Sequence, residues 1–375
     1  MIRVSKSCLS ILEKRYLNKV IQKQYLGMGP EVKKFESELE KFFERKVICV
    51  NSGSAALHLA LQACGIKNGD EVLVPAITYV ATYQAVAATG AKPILCDVNL
   101  NDLCISEKSI IRNISKKTKA IIPVHFSGHP CNLDKIFSIG KKYNLNIIED
   151  SAHAFGSYYK NKLLGSFGDI SCFSFDGIKN ITSGEGGCIV LRNKKLIKKI
   201  SDARLLGVCG DSKKRYTNKR SWKFDVKDQG WRYHMSDLNA AIGRAQLKRF
   251  IKLSSSRKKL CLEYDNFFSK ENKYIKLFKR NFKKEVPHIY CIVIKNLKKR
   301  DKLRKDLLKQ NIQSGIHYIP GYKLSLFKDD KRKFPNCEKI SNKIITLPLH
   351  PDLKKNQINL IGKKLINLLK KTNYF

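Results

Sequence analysis

Between residues 47 and 192 the chain alternates two kinds of pattern. Short apolar runs (KVICV, DEVLVP, AKPILCDV, AIIPVHF, LNIIED, DISCFSF and GGCIVLRN) have the length and composition of strands. Between most of them lie longer stretches, such as SAALHLALQACGI and TYVATYQAVAATG, with apolar residues at helical spacing. Strands alternating with helices predict an α/β fold with a mainly parallel sheet covered on both faces. DISCFSF and GGCIVLRN are too close for a helical crossover, so one of them is expected to run antiparallel. From about residue 250 the pattern changes to a helix (RKKLCLEYDNFF), the run VPHIYCIVI, a helix (RDKLRKDLLKQ), the segment SGIHYIP and a final helix (QINLIGKKLINLLKK). This predicts a large α/β domain over 1–250 and a smaller α+β domain over 251–375, with residues 1–30 packing on the smaller one.

Composition narrows the class. Of 375 residues, 43% are hydrophobic, enough to bury a sizeable core. No run approaches the roughly 20 apolar residues that span a bilayer. The opening MIRVSKSCLSILEKRYLNKV is broken by Lys and Glu and lacks the apolar stretch of a signal peptide, so a cytoplasmic location is expected. Twelve cysteines include no CxxC pair, and several lie inside apolar runs, where a reduced thiol behaves as a small hydrophobe. Neither a metal site nor a disulfide framework is expected from that spacing.

A formal net charge of +41 raises nucleic acid as a partner. Its distribution argues otherwise. Residues 51–100 carry two lysines and three acids, whereas 251–375 carry 32 basic against 10 acidic residues, scattered as Lys pairs among Ile, Leu and Asn. This reads as a solvated lysine-rich surface that attracts anionic substrates, not as a specific nucleic-acid module.

In open parallel sheets, ligands bind beyond the carboxyl ends of the strands. After KVICV comes Asn51-Ser52-Gly53-Ser54-Ala55, a small-residue turn opening a helix, suited to a phosphate or to an ordinary serine cap. After DEVLVP, Tyr79 sits where an aromatic face can stack on a flat ligand. LNIIED ends in Asp150, followed closely by His153. After DISCFSF comes Lys179, with Ser174 five residues earlier and Gly-Glu-Gly-Gly beyond. Each feature alone has a structural explanation. Together, a phosphate cradle, an aromatic platform, an acid and a lysine are what pyridoxal phosphate requires. The lysine must supply a neutral amine for an imine with the aldehyde, and the acid must keep the ring nitrogen protonated.

These stretches, with GMGPEVKKFESELEKFF, HFSGHPCNLDKI, IIEDSAHAFGS, GDISCFSFDGIKNITSGEGG, MSDLNAAIGRAQL and ITLPLHPDL, resemble the DegT/DnrJ/EryC1/StrS family of nucleotide-sugar aminotransferases nearly end to end. The resemblance implies the aspartate aminotransferase-like, type I fold. It implies Lys179 as the catalytic amine and proton carrier and Asp150 as partner of the pyridine nitrogen. Gly53, Ser54, Ala55 and Ser174 would hold the phosphate, Tyr79 would stack on the ring, and His153 would lie beside it. It further implies an amino-acid donor, glutamate, a nucleotide-linked keto-deoxyhexose as acceptor, a product for lipopolysaccharide or another surface glycan, and a homodimer with shared sites. A branch that eliminates a sugar hydroxyl carries His in place of the lysine, and Lys179 speaks against it. Where many relatives read GYNYRMS, this chain reads GWRYHMS, placing Arg232 and His234 at the Asn and Arg. Arg232 is therefore expected to reach the phosphate of the neighbouring subunit. His317, in SGIHY, matches a segment beside the sugar. A regulatory relative without turnover is the alternative, opposed by an intact Lys179 and Asp150.

Overall fold

The computed structural model describes residues 1–371 and 374–375. Two helices, α1 (Ile11–Gln22) and α2 (Pro30–Phe43), precede the first strand. Ser10 caps α1 through a reciprocal bond with Glu13, and Pro30 opens α2 where no backbone donor is needed.

The strands are β1 (Lys46–Val50), β2 (Glu71–Pro75), β3 (Lys92–Cys96), β4 (Thr118–Ile121), β5 (Asn146–Asp150), a two-rung hairpin of β6 (Tyr158–Tyr159) and β7 (Lys162–Leu163), then β8 (Ile170–Ser174) and β9 (Gly187–Leu191). The sequence run AIIPVHF yields the short β4. Pro123 offers only a carbonyl, which accepts from Asp150 N–H, and pairing resumes at a single bridge from Val124 to Asp150. Seven strands form one sheet in the order β1-β9-β8-β5-β4-β2-β3. The pairs β2/β3, β2/β4, β4/β5 and β5/β8 are parallel. β9 runs against both β8 and β1, the single reversal expected from the short β8–β9 connection. Both strands are buried along their whole length, as a sheet covered on both faces requires.

The covering helices are α3 (Gly53–Ala63), α4 (Val80–Ala87), α5 (Glu107–Asn113), α6 (Leu133–Tyr143), α7 (Lys194–Ala203) and the short α8 (Asp211–Arg215). Under α2 a cluster of Phe35, Phe43, Phe155, Phe173 and Phe175 fills one side of the sheet. The same region holds a fully buried Arg204, paired with Glu36 and donating to Cys49 O and Tyr216 Oη.

A 32-residue helix, α9 (Asp237–Phe268), runs through position 250, where the residue pattern changes. Beyond it lie β10 (Ile275–Lys276), β11 (Tyr290–Ile294), α10 (Arg300–Lys309), α11 (Pro335–Ile340), β12 (Ile344–Leu347) and α12 (Lys355–Lys370). β10, β11 and β12 make an antiparallel sheet. Strand alternation divides β11 between two cores. Tyr290, Ile292 and Ile294 pack with Tyr264, Phe268 and Leu365, while Cys291 and Val293 join the core of the large sheet with Phe334 and Ile340. SGIHYIP forms no strand; it runs as a loop joined to β12 by one bridge, Gly315 to Thr346. The first residues touch both regions: Glu13 pairs with Arg249 of α9, and Ile2 bridges to Ile312. No helix among the described residues is long and apolar enough to cross a membrane.

Candidate active site

The carboxyl ends of β1, β2, β4, β5 and β8 open on one cavity of about 390 Å³. Gly53, Ser54, Tyr79, Asp150, His153, Ser174, Lys179 and His317 all line it.

The strand-to-helix turn after β1 builds one wall. The N–H groups of Gly53 and Ser54 precede the first intrahelical acceptor of α3 and remain available to an anion at the positive end of the helix. Ala55 differs from expectation in one respect: its N–H donates to Ser52 Oγ at 3.1 Å. A Cβ on Gly53 would lie 2.8 Å from Ser174 Cβ, so the turn and the end of β8 approach closely enough to form a cradle. Tyr79, 55% exposed, stands at the mouth with its ring 5.7 Å from that of Tyr318.

Asp150 is buried at the end of β5. Its Oδ2 accepts from Thr82 Oγ1 at 2.8 Å and its Oδ1 from Ala152 N–H at 3.2 Å. Burial raises its pKa; those two bonds and the Lys179 charge oppose the rise. Lys179 is held by its main chain, since Arg257 of α9 donates to the carbonyls of Ile178 and Lys179. Burial pulls the lysine pKa below its ordinary value; Asp176 and Asp150 pull it back up, and Arg257 pushes it further down. The result is an amine that gives up its proton more readily than a surface lysine.

Three neutral imidazoles surround it. His153 Nδ1 accepts from Ser127 N–H at 3.3 Å, which leaves the proton on Nε2, 2.9 Å from Tyr318 Oη. The His153 and His288 rings lie 4.6 Å apart. His317 Nδ1 lies 2.8 Å from Thr346 Oγ1. Burial, then Lys179, lowers all three, His317 to about 4 and the others well below the usual value.

Sequence reasoning passed over Thr82, His288, Tyr318 and Arg257. Thr82 sits one turn beyond Tyr79 on α4, so helical spacing held a clue to it. The other three come from beyond residue 250; only Tyr318, next to His317 in SGIHY, had a neighbour that pointed to the site. Arg232 is not brought into this cavity. Its segment pairs with Leu205 and runs past the end of β1, where Tyr233 O accepts from Asn51 N–H.

A buried acid facing a lysine stripped of water, beside a helix-capped anion cradle, is the working arrangement of aminotransferases that use pyridoxal phosphate. The chain belongs to the DegT/DnrJ/EryC1/StrS aminotransferase family, whose profile matches residues 8–366. GDP-perosamine synthase of Escherichia coli O157:H7 is 34% identical over 378 residues, covering 97% of each chain. PseC of Helicobacter pylori, an aminotransferase involved in the biosynthesis of pseudoaminic acid, superposes with a TM-score of 0.91 at 27% identity over 99% of both chains. Spr1654 of Streptococcus pneumoniae, in its PLP form, superposes with a TM-score of 0.90 at 28% identity, again over 99% of both. The fold is thus that of the pyridoxal phosphate sugar aminotransferases.

Proposed function

We propose that this enzyme transfers an amino group from L-glutamate to the keto group of a nucleotide-linked deoxyhexose, for a surface polysaccharide made from cytoplasmic precursors. One observation carries the reading: Lys179, its pKa lowered, and the buried Asp150 line the same 390 Å³ cavity beneath the α3 anion cradle. GDP-perosamine synthase, whose name refers to a nucleotide sugar, aligns over nearly the whole chain. When bound, pyridoxal phosphate supplies the aldehyde that takes up the amine and a ring that delocalises the electron pair left on carbon.

Gly53, Ser54 and Ser174 would hold the phosphate, Tyr79 would lie against the ring, and Asp150 would pair with the pyridine nitrogen. Lys179 Nζ would be the amine that anchors pyridoxal phosphate and the base that moves the proton during transfer. His153, fixed as the Nε2–H tautomer, would border the ring without taking a charge. His317 contacts the sugar. Two chains form a homodimer in which Arg232 serves the neighbouring site. The exposed Trp222, Phe224 and Val226 on the approach to Arg232 offer apolar surface for that pairing.

The test is the absorption spectrum of the purified protein with pyridoxal phosphate, before and after L-glutamate, beside Lys179→Ala. A visible band that glutamate shifts to shorter wavelength, and that the variant lacks, supports the reading and leads to a panel of keto-sugar nucleotides. A wild-type protein without that band refutes it.

A further inference from the structure

Away from the cofactor cavity, three side chains meet from opposite ends of the chain. Cys8, His350 and Asp352 each offer one ligand atom, and these atoms lie within 4.8 Å of one another. Cys8 and His350 are each 7% exposed, whereas the Asp352 side chain is half exposed. His350 Nδ1 is buried with no hydrogen-bond partner among the described residues. A buried ring nitrogen left without a partner is costly, and a metal ion is one way to satisfy it. The backbone on both sides is fixed. Gln246 Nε2 and Arg249 Nη1 donate to Cys8 O at 3.0 and 3.1 Å, and Leu349 N–H donates to Val4 O at 3.0 Å.

We propose that Cys8, His350 and Asp352 bind a borderline-soft divalent cation of the zinc class, leaving one coordination position open to water. Thiolate, imidazole and carboxylate are the donors such an ion takes together, whereas magnesium and calcium prefer oxygen alone. Bonds of roughly 2.0–2.3 Å place tetrahedral ligand atoms about 3.3–3.8 Å apart, so the side chains need close by only about an ångström. A positive charge already answers the carboxylate: Lys6 Nζ lies 2.7 Å from Asp352 Oδ2. Lys6 is half exposed and can swing into water as the ion enters. On binding, the Cys8 thiol loses its proton to solvent and the sulfur bonds the metal; nothing is oxidised or reduced.

The position links the site to the active lysine although none of its three ligands lines the large cavity. Cys8 and Pro351 border a small cavity whose far wall is Gly177, Lys179 and Arg257. Ser7 Oγ donates to Gly177 O. A bound ion would therefore clamp the N-terminal segment behind the loop that carries Lys179. Cys8 stands too far in sequence from the His350–Asp352 pair for any spacing motif to have joined the three.

The test titrates the cofactor-loaded protein with Co²⁺ and follows the visible ligand-field bands. One equivalent is expected to give the intense spectrum of a tetrahedral site with a thiolate. Cys8→Ser should abolish it, and His350→Ala, which removes a ligand outright, should weaken binding by more than the roughly 10- to 100-fold that loss of an outer-shell partner costs. Lys6→Met, which removes the competing ammonium and leaves every ligand in place, should tighten binding several-fold. Should the ligand variants fail to fold, Zn²⁺ protection of Cys8 against alkylation in the wild-type protein, read by mass spectrometry, decides the same question. Weak octahedral bands, a spectrum that persists in Cys8→Ser, or alkylation of Cys8 unchanged by Zn²⁺ would each overturn the proposal.

Discussion

His317 makes the folded protein sensitive to acid. Burial, reinforced by the Lys179 charge, pushes its pKa down to about 4. In the unfolded chain it titrates near 6.5. The folded value is depressed, so the neutral ring contributes stability that is present above about pH 6.5 and lost as pH falls towards 4. At pH 5 the unfolded state is favoured by a factor of about 30 relative to neutral pH, or about 2 kcal/mol. His317→Gln keeps a polar group within reach of Thr346 Oγ1 but removes the titration. The assay is urea unfolding of cofactor-free protein at pH 7.5 and 5.0, with imidazole Cε1–H resonances followed by NMR. The chain has eight histidines, so the signal missing in the variant identifies His317. The stability lost between the two pH values should be about 2 kcal/mol smaller in the variant. An unchanged loss, or a His317 resonance that titrates near 6.5, would refute the reasoning.

Other perturbations have equally definite outcomes. Tyr318→Phe removes the partner of His153 Nε2–H and strands a buried donor; a loss of about 1–3 kcal/mol is expected in chemical denaturation, with weaker cofactor binding by fluorescence titration. Arg204→Met leaves the Glu36 carboxylate buried without its counter-charge and should cost about 3–5 kcal/mol in the same measurement. Gly128 has φ +92° and a Cβ there would lie 2.2 Å from Val286 O, so Gly128→Ala should lower stability by at least about 2 kcal/mol and loosen the turn whose Ser127 N–H donates to His153. Arg257→Met frees the carbonyls of Ile178 and Lys179 and removes a charge that lowers the Lys179 pKa; the pH midpoint of the visible cofactor band should move upward.

Much of this protein is written in local pattern. Seven apolar runs became the seven strands of the sheet, because burial on both faces leaves no polar alternation and long crossovers, most of them helical, must separate parallel neighbours. The short DISCFSF–GGCIVLRN connection dictated the one reversed strand. Gly53, Ser54, Tyr79, Asp150, Ser174 and Lys179 were legible because a parallel sheet delivers the residues after each strand to the same edge, so position along the chain translates into position in space.

What escaped the sequence is what only distant packing creates. Arg257 reaches the Lys179 loop from the middle of α9, His288 comes from a segment that looks like ordinary core, and Tyr318, though beside His317, gave no sign of its contact with His153. The neutrality of His153, His288 and His317 is a property of burial, and burial is decided by every element around them. The same holds for Lys179. Its type and place were set by the chain, but its readiness to lose a proton arises only when folding removes its water and sets Arg257 behind it. Local sequence determines which groups stand at the strand ends; the tertiary structure determines their charge, because desolvation is a sum over the whole fold.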